Sequence, residues 1–172
     1  MKKMVLFLFL LSGCISAVHA QQLKRCAVGK SGCSVAFYCD PGKFESTISK
    51  DSSVVYSGEC VSGDVTYELI CVKLVKKAPG PDVASQVLLQ YLDYLKGAYE
   101  VASAAGYKGL TLKKSANTQG ISDLWRDKDN NFMSVRGFTN GRYLAVLMTI
   151  SPAQLTAGVT DPFLESIVFP EK

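Results

Sequence analysis

Histidine is almost missing from this chain of 172 residues; His19 is its only one. That removes Ser-His-Asp and Cys-His catalysis, and histidine-based zinc sites, from the functional readings. The sequence also has no C-x-x-C pair and no glycine fingerprint of a nucleotide-binding turn, so neither a bound transition metal nor an organic cofactor is expected. Charge is sparse. Charged residues make up 20% of the chain and the net charge is +4, too mild for a dedicated nucleic-acid binder. The apolar fraction of 48% excludes a disordered or collagen-like chain. What remains is an ordinary globular composition with six cysteines, and a length that suits one domain.

The start of the chain reads as a bacterial export signal over residues 1–20. Lys2 and Lys3 precede the apolar run Met4–Leu11, and Val18-His19-Ala20 offers small residues at the positions a signal peptidase accepts. Ser12 and Gly13 interrupt the run, which leaves it short of the roughly 20 residues a membrane span needs. Soluble export to the periplasm or the medium, with Gln21 as the mature start, is the expectation. The alternative is a membrane-anchored lipoprotein. Leu11-Ser12-Gly13-Cys14 resembles a lipobox, in which Cys14 would carry the lipid. Cleavage after Ala20 also removes His19.

Residues 21–33 are polar and glycine-containing, and read as an irregular, cysteine-bearing lead-in. A single domain is expected over 34–170. Strand candidates are 35–39, 44–49, 54–61 and 66–75, the last two joined by the hairpin signal Ser62-Gly63-Asp64. After Lys76 to Asp82, with its two prolines, helical spacing of Ala84, Val87, Leu88, Tyr91, Leu95, Ala98, Tyr99, Ala102 and Ala105 predicts a long helix over 83–105. Asp82 reads as its N-cap and Gly106 as its stop. Strand candidates then follow at 109–113, 121–126, 132–138 and 142–150. Thr139-Asn140-Gly141 between the last two is a strong hairpin signal. Both faces of 142–150 are apolar, so this strand belongs in the middle of a sheet covered on both sides. Ser151-Pro152 and Asp161-Pro162 read as starts of short helices. The fold class expected is α+β: an antiparallel sheet with one long helix on one face and short C-terminal helical segments on the other.

This order of elements resembles the PsbP/Mog1-like α/β/α sandwich. The stretches that carry the likeness are Phe37-Tyr38-Cys39-Asp40-Pro41-Gly42 and Phe163-Leu164-Glu165-Ser166-Ile167. The resemblance covers about residues 34–169 and implies a non-catalytic, protein-associating domain. It transfers no catalytic residue. The cysteine-rich beginning departs from the usual pattern.

Individual motifs read mostly as structure. Gly29-Lys30-Ser31 echoes a phosphate-binding loop, but Lys24 stands where its first glycine is required. Asp127, Asp129 and Asn131 alternate like a calcium loop, yet Phe132 and Phe138 occupy the glycine and glutamate positions. Lys76-Lys77 and Lys113-Lys114 read as solvated surface. Trp125, Arg136 and Arg142 are the binding candidates; for Trp125 a core role is the stronger reading. Asp123, Asp127, Asp129 and Glu165 are the carboxylates from which an acid/base pair would have to come, and nothing in their spacing joins two of them.

Cys26, Cys33, Cys39, Cys60 and Cys71 remain after export, which predicts two disulfides and an odd thiol open to a disulfide-linked dimer. A two-residue turn at Gly63-Asp64 places Cys60 opposite Tyr67 and Cys71 opposite Tyr56. Cys60 and Cys71 then lie about 13 Å apart at roughly 3.3 Å per residue, beyond the ~7 Å a disulfide spans. The favoured pairings tie both strands to the segment holding Cys26, Cys33 and Cys39. The functional expectation is an exported, non-enzymatic envelope module with a protein partner, no nucleic acid, and membrane contact only through Cys14. The alternatives are a periplasmic enzyme built on a free cysteine or a carboxylate pair, and a secreted effector or inhibitor of a foreign protein.

Overall fold

A computed structural model describes residues 22–112 and 117–171. The export signal read in residues 1–20, Cys14 within it, and Lys113 and Lys114 lie outside the described residues. The order is β1 (Lys24–Ala27), β2 (Ser34–Phe37), β3 (Glu45–Ile48), β4 (Val54–Ser62), β5 (Val65–Lys73), α1 (Pro81–Ala98), β6 (Val101–Ala104), β7 (Lys108–Thr111), β8 (Gln119–Asp127), β9 (Phe132–Thr139), β10 (Tyr143–Ser151) and α2 (Ala157–Leu164). The main sheet is antiparallel and eight-stranded, in the order β3-β4-β5-β10-β9-β8-β6, with β7 also paired to β8. β1 and β2 form a separate hairpin. This is the expected α+β architecture.

β10 sits in the middle, between β5 and β9. Leu144, Val146 and Met148 pack with α1, whose Leu88, Leu92 and Leu95 are buried. Tyr143, Ala145 and Leu147 pack with the β1–β2 hairpin and α2. Each buried leucine contributes about 1.5–3 kcal/mol of burial free energy, so the sheet is clamped from both sides. The β4–β5 register is the one the turn implied, with Cys60 opposite Tyr67 and Tyr56 opposite Cys71. Cys39 and Cys60 are joined by a disulfide with Cα atoms 5.8 Å apart, which pins the segment after β2 to β4.

Expectations are corrected at three places in the chain. The lead-in is not irregular: residues 24–27 pair with 34–37, and Val28 and Cys33 are fully buried at the hairpin end. The alternation of Cys26 and Val28 before Gly29 was the overlooked signal. The long helix stops at Ala98, not Ala105. Glu100, at φ 49°, turns the chain, and 101–104 becomes an edge strand pairing Val101 with Asp127. The helix is capped by Gly80 with Pro81 in the first turn, and Asp82 lies inside that turn. At the tail, Ser151-Pro152 starts no helix; Ser151 donates to the carbonyl of Ala153 at 2.6 Å. One helix, Ala157–Leu164, carries Asp161 and Pro162 within it.

Candidate functional site

The face of the sheet opposite α1 is only half covered. α2 and the β1–β2 hairpin close the part formed by β4, β5 and β10. Over residues 122–126 of β8 and 132–136 of β9, with α2 at the edge, the same face is open. Strand alternation decides what it shows: Ile121, Asp123 and Trp125 on β8 turn toward α1, so Ser122, Leu124 and Arg126 turn outward. On β9 the outward residues are Phe132, Ser134 and Arg136. Leu124 is 46% exposed, an apolar side chain set among Ser122, Ser134 and Arg136, with Phe132 stacked against Arg126 at the far end of the floor.

Two depressions of about 300 and 280 Å³ lie on this floor. They share Ala105, Leu124, Ser134 and Gln154, so they form one elongated groove. One wall is the segment leading from β6 into β7, which supplies Ala105, Gly106 and Lys108; the other is the segment from Gln154 into α2.

Both walls are held by ion pairs, one of them buried. Asp123 is 5% exposed and fully satisfied: it accepts from the Trp125 indole N–H at 2.8 Å and from the backbone N–H of Gly106 and Leu124, each at 2.8 Å. Lys96 Nζ lies 3.5 Å from the same carboxylate and 3.9 Å from the centre of the Tyr107 ring. Tyr107 in turn donates its O–H to Asp93 at 2.6 Å. This network, seated beneath α1, fixes the 105–108 wall. Gly106, at φ +100°, supplies the left-handed turn that aims its N–H at Asp123. The other wall is fixed by Arg136, which donates to Asp161 at 2.5 Å and to Glu165. The planar guanidinium presents fixed donors to both carboxylates at once. α2 is thereby locked onto β9 at the groove's edge.

Of the binding candidates, Arg136 lines the groove. Trp125 takes the core role that was its stronger reading: it is 1% exposed, its indole N–H serves Asp123, and it borders the second depression from below. Arg142 is exposed beside the β9–β10 turn, where it reaches the carbonyl of Val75 at 3.5 Å; it lines neither depression. The candidate carboxylates stay apart. Asp123 lies under α1, and Asp127 closes the β8–β9 turn by accepting from the backbone N–H of Asp129 and Asn131, each at 2.9 Å. Glu165 instead meets Asp161, across Arg136. Leu124 and Ser134 went unnoticed in the sequence, and Asp161 read only as a helix start. The available signal was Leu124 itself, the one large apolar residue on the face of 119–127 that carries Ser122 and Arg126.

Among the described residues, no group of three or more His, Cys, Asp and Glu could hold a metal ion, and no helix is long and apolar enough to cross a membrane. Cys26 is partly exposed, whereas Cys33 and Cys71 are buried.

No family model matches the chain, and no curated protein matches it. Among solved structures it is similar to the solution structure of cyanobacterial PsbP (CyanoP) from Synechocystis sp. PCC 6803, at 16% identity and a TM-score of 0.45, over 92% of this chain and 98% of that one. The α+β assignment itself rests on the strands and helices described above.

Proposed function

We propose that this chain is an exported, non-enzymatic binding module of the cell envelope that holds an extended segment of a partner protein in the β8–β9 groove. The observation that carries the reading is the groove's shape: two depressions run together on one floor, with an exposed apolar side chain between rigid walls. An elongated groove suits a stretch of chain better than a compact small molecule. Leu124 offers an apolar anchor, and Ser122, Ser134, Gln154 and Lys108 offer hydrogen-bonding groups along the length. The export signal read in residues 1–20 and the Cys39–Cys60 disulfide support a place outside the cytoplasm. Support for a non-enzymatic role comes from the chemistry of the groove. Its lining carboxylates, Asp123 and Asp161, are both engaged, the first by Lys96 and three N–H groups and the second by Arg136, and the chain's histidine lies at position 19.

The test is a pull-down from envelope extract with the wild type and with Leu124→Glu, a substitution at an exposed position. The wild type retains a partner in near-stoichiometric amount and Leu124→Glu loses it by more than about tenfold, the size expected of a hot-spot anchor. Equal recovery by both proteins would refute the groove as the binding surface.

A further inference from the structure

Two thiols meet in the core, and the proposed groove does not use them. Cys33 ends the turn between β1 and β2, and Cys71 lies on β5, next to the central strand. They are 2% and 0% exposed and belong to the same apolar cluster. Cys71 Sγ–H donates to Cys33 Sγ at 3.7 Å. The sequence alone left the pairing of five cysteines open. The fold does not: Cys39 and Cys60 are already joined, and of the three remaining thiols these two are in contact.

We propose that Cys33 and Cys71 are the site of a second disulfide, which staples the β1–β2 hairpin to β5 and leaves Cys26 as the accessible thiol. The sulfurs must approach by about 1.7 Å to reach the ~2.05 Å bond length, a shift within reach of side-chain rotation. The surroundings fit a fixed pair. Ser31 accepts the backbone N–H of Cys33 at 3.0 Å, and Tyr143 on β10 donates its O–H to the carbonyl of Ser31 at 3.1 Å, so the turn is held over β5 from two sides.

The reaction is thiol–disulfide exchange with a disulfide oxidant, either a small one such as oxidised glutathione or a dithiol oxidase of the export compartment. Before the hairpin docks either cysteine can attack first, and the steps are the same with the two exchanged. The Cys33 thiolate displaces one sulfur of the oxidant and forms a mixed disulfide. The Cys71 thiolate then attacks the Cys33 sulfur and releases the oxidant's second sulfur. The two cysteines lose two electrons and two protons, and the oxidant gains both as two thiols. Because both sulfurs are sealed in the folded chain, the exchange takes place before the hairpin docks.

The experiment refolds the reduced full chain in a mixture of reduced and oxidised glutathione. Thiols are then alkylated under denaturing conditions without reductant, and the peptides mapped. The expected result is a Cys33–Cys71 linked peptide alongside Cys39–Cys60, with Cys26 alkylated. Recovery of Cys33 and Cys71 as alkylated thiols, or of either bonded to Cys26, overturns the proposal. A thermal measurement isolates the second bond. In the Cys39→Ser/Cys60→Ser variant, reductant still lowers Tm by several degrees; an unchanged Tm in a folded variant contradicts the staple.

Discussion

Asp123 shows how much of the groove depends on one buried carboxylate. Four groups converge on it: an indole N–H, two backbone N–H groups and the Lys96 ammonium. Asp123→Ala strands those donors away from water and leaves Lys96 without its buried counter-charge. The expected loss is about 3–5 kcal/mol, read as a lower urea midpoint, with the 105–108 wall losing amide protection first. A change below about 1 kcal/mol would mean the network is not what seats the wall. Glu68 provides a test of opposite character. Burial raises its carboxyl above the ordinary range, nearby Glu59 adds to the rise, and the hydrogen bond from Tyr99 opposes it. A carboxyl that titrates higher folded than unfolded favours folding in its protonated form. Its contribution is complete below the unfolded value near ~4.3 and is lost as pH rises through the folded value. Urea midpoints between pH 3 and 8 should therefore fall more steeply for the wild type than for Glu68→Gln across that window; parallel curves would contradict the assignment. At this scale the sequence was legible where one residue had one dominant role. Trp125 read foremost as core and is core. Its partner Asp123 was not legible, because nothing in local spacing announces a carboxylate that α1 and the 105–108 wall must both reach.

Elements were legible wherever a local pattern and the long-range pairing agreed. The β4–β5 hairpin, the β9–β10 hairpin around Asn140-Gly141 and the central place of β10 all follow from alternation and turn chemistry. The end of α1 was not legible. Ala98, Tyr99, Ala102 and Ala105 keep a helical spacing, but pairing with the far end of β8 takes residues 101–104 into the sheet, at an edge where small residues suffice. Tertiary pairing overrode a weak local preference. β7 depends on a different detail. A Cβ at Gly120 would stand 2.6 Å from the Leu110 carbonyl and 3.0 Å from the Phe138 ring, so β7 can pair with β8 only over a glycine. Gly120→Ala should cost about 1–3 kcal/mol and expose the amides of 108–111 to exchange. Gly109→Ala, with open space at its Cβ, should leave exchange there unchanged. Equal effects of the two would show that close approach at Gly120 is not the constraint.

The molecule as a whole is an asymmetric sandwich. α1 covers one face, the hairpin and α2 cover half of the other, and the uncovered half forms the groove. Local sequence reading could find most strands of the main sheet, the long helix and a helical tail. It could not find the uncovered half, which exists only because α2 stops over β9, where Arg136 ties it down through Asp161 and Glu165. The central claim is that a partner protein lies along this floor. It is tested most directly by site-specific photocrosslinking in the living cell, with a photoreactive amino acid placed in turn at Leu124, at Ser134 and at Tyr94, which is 66% exposed on α1. The account predicts one covalent adduct of the same mass from positions 124 and 134, and none from 94. An adduct from 94 with none from either groove position would place the partner on the helix face and contradict it.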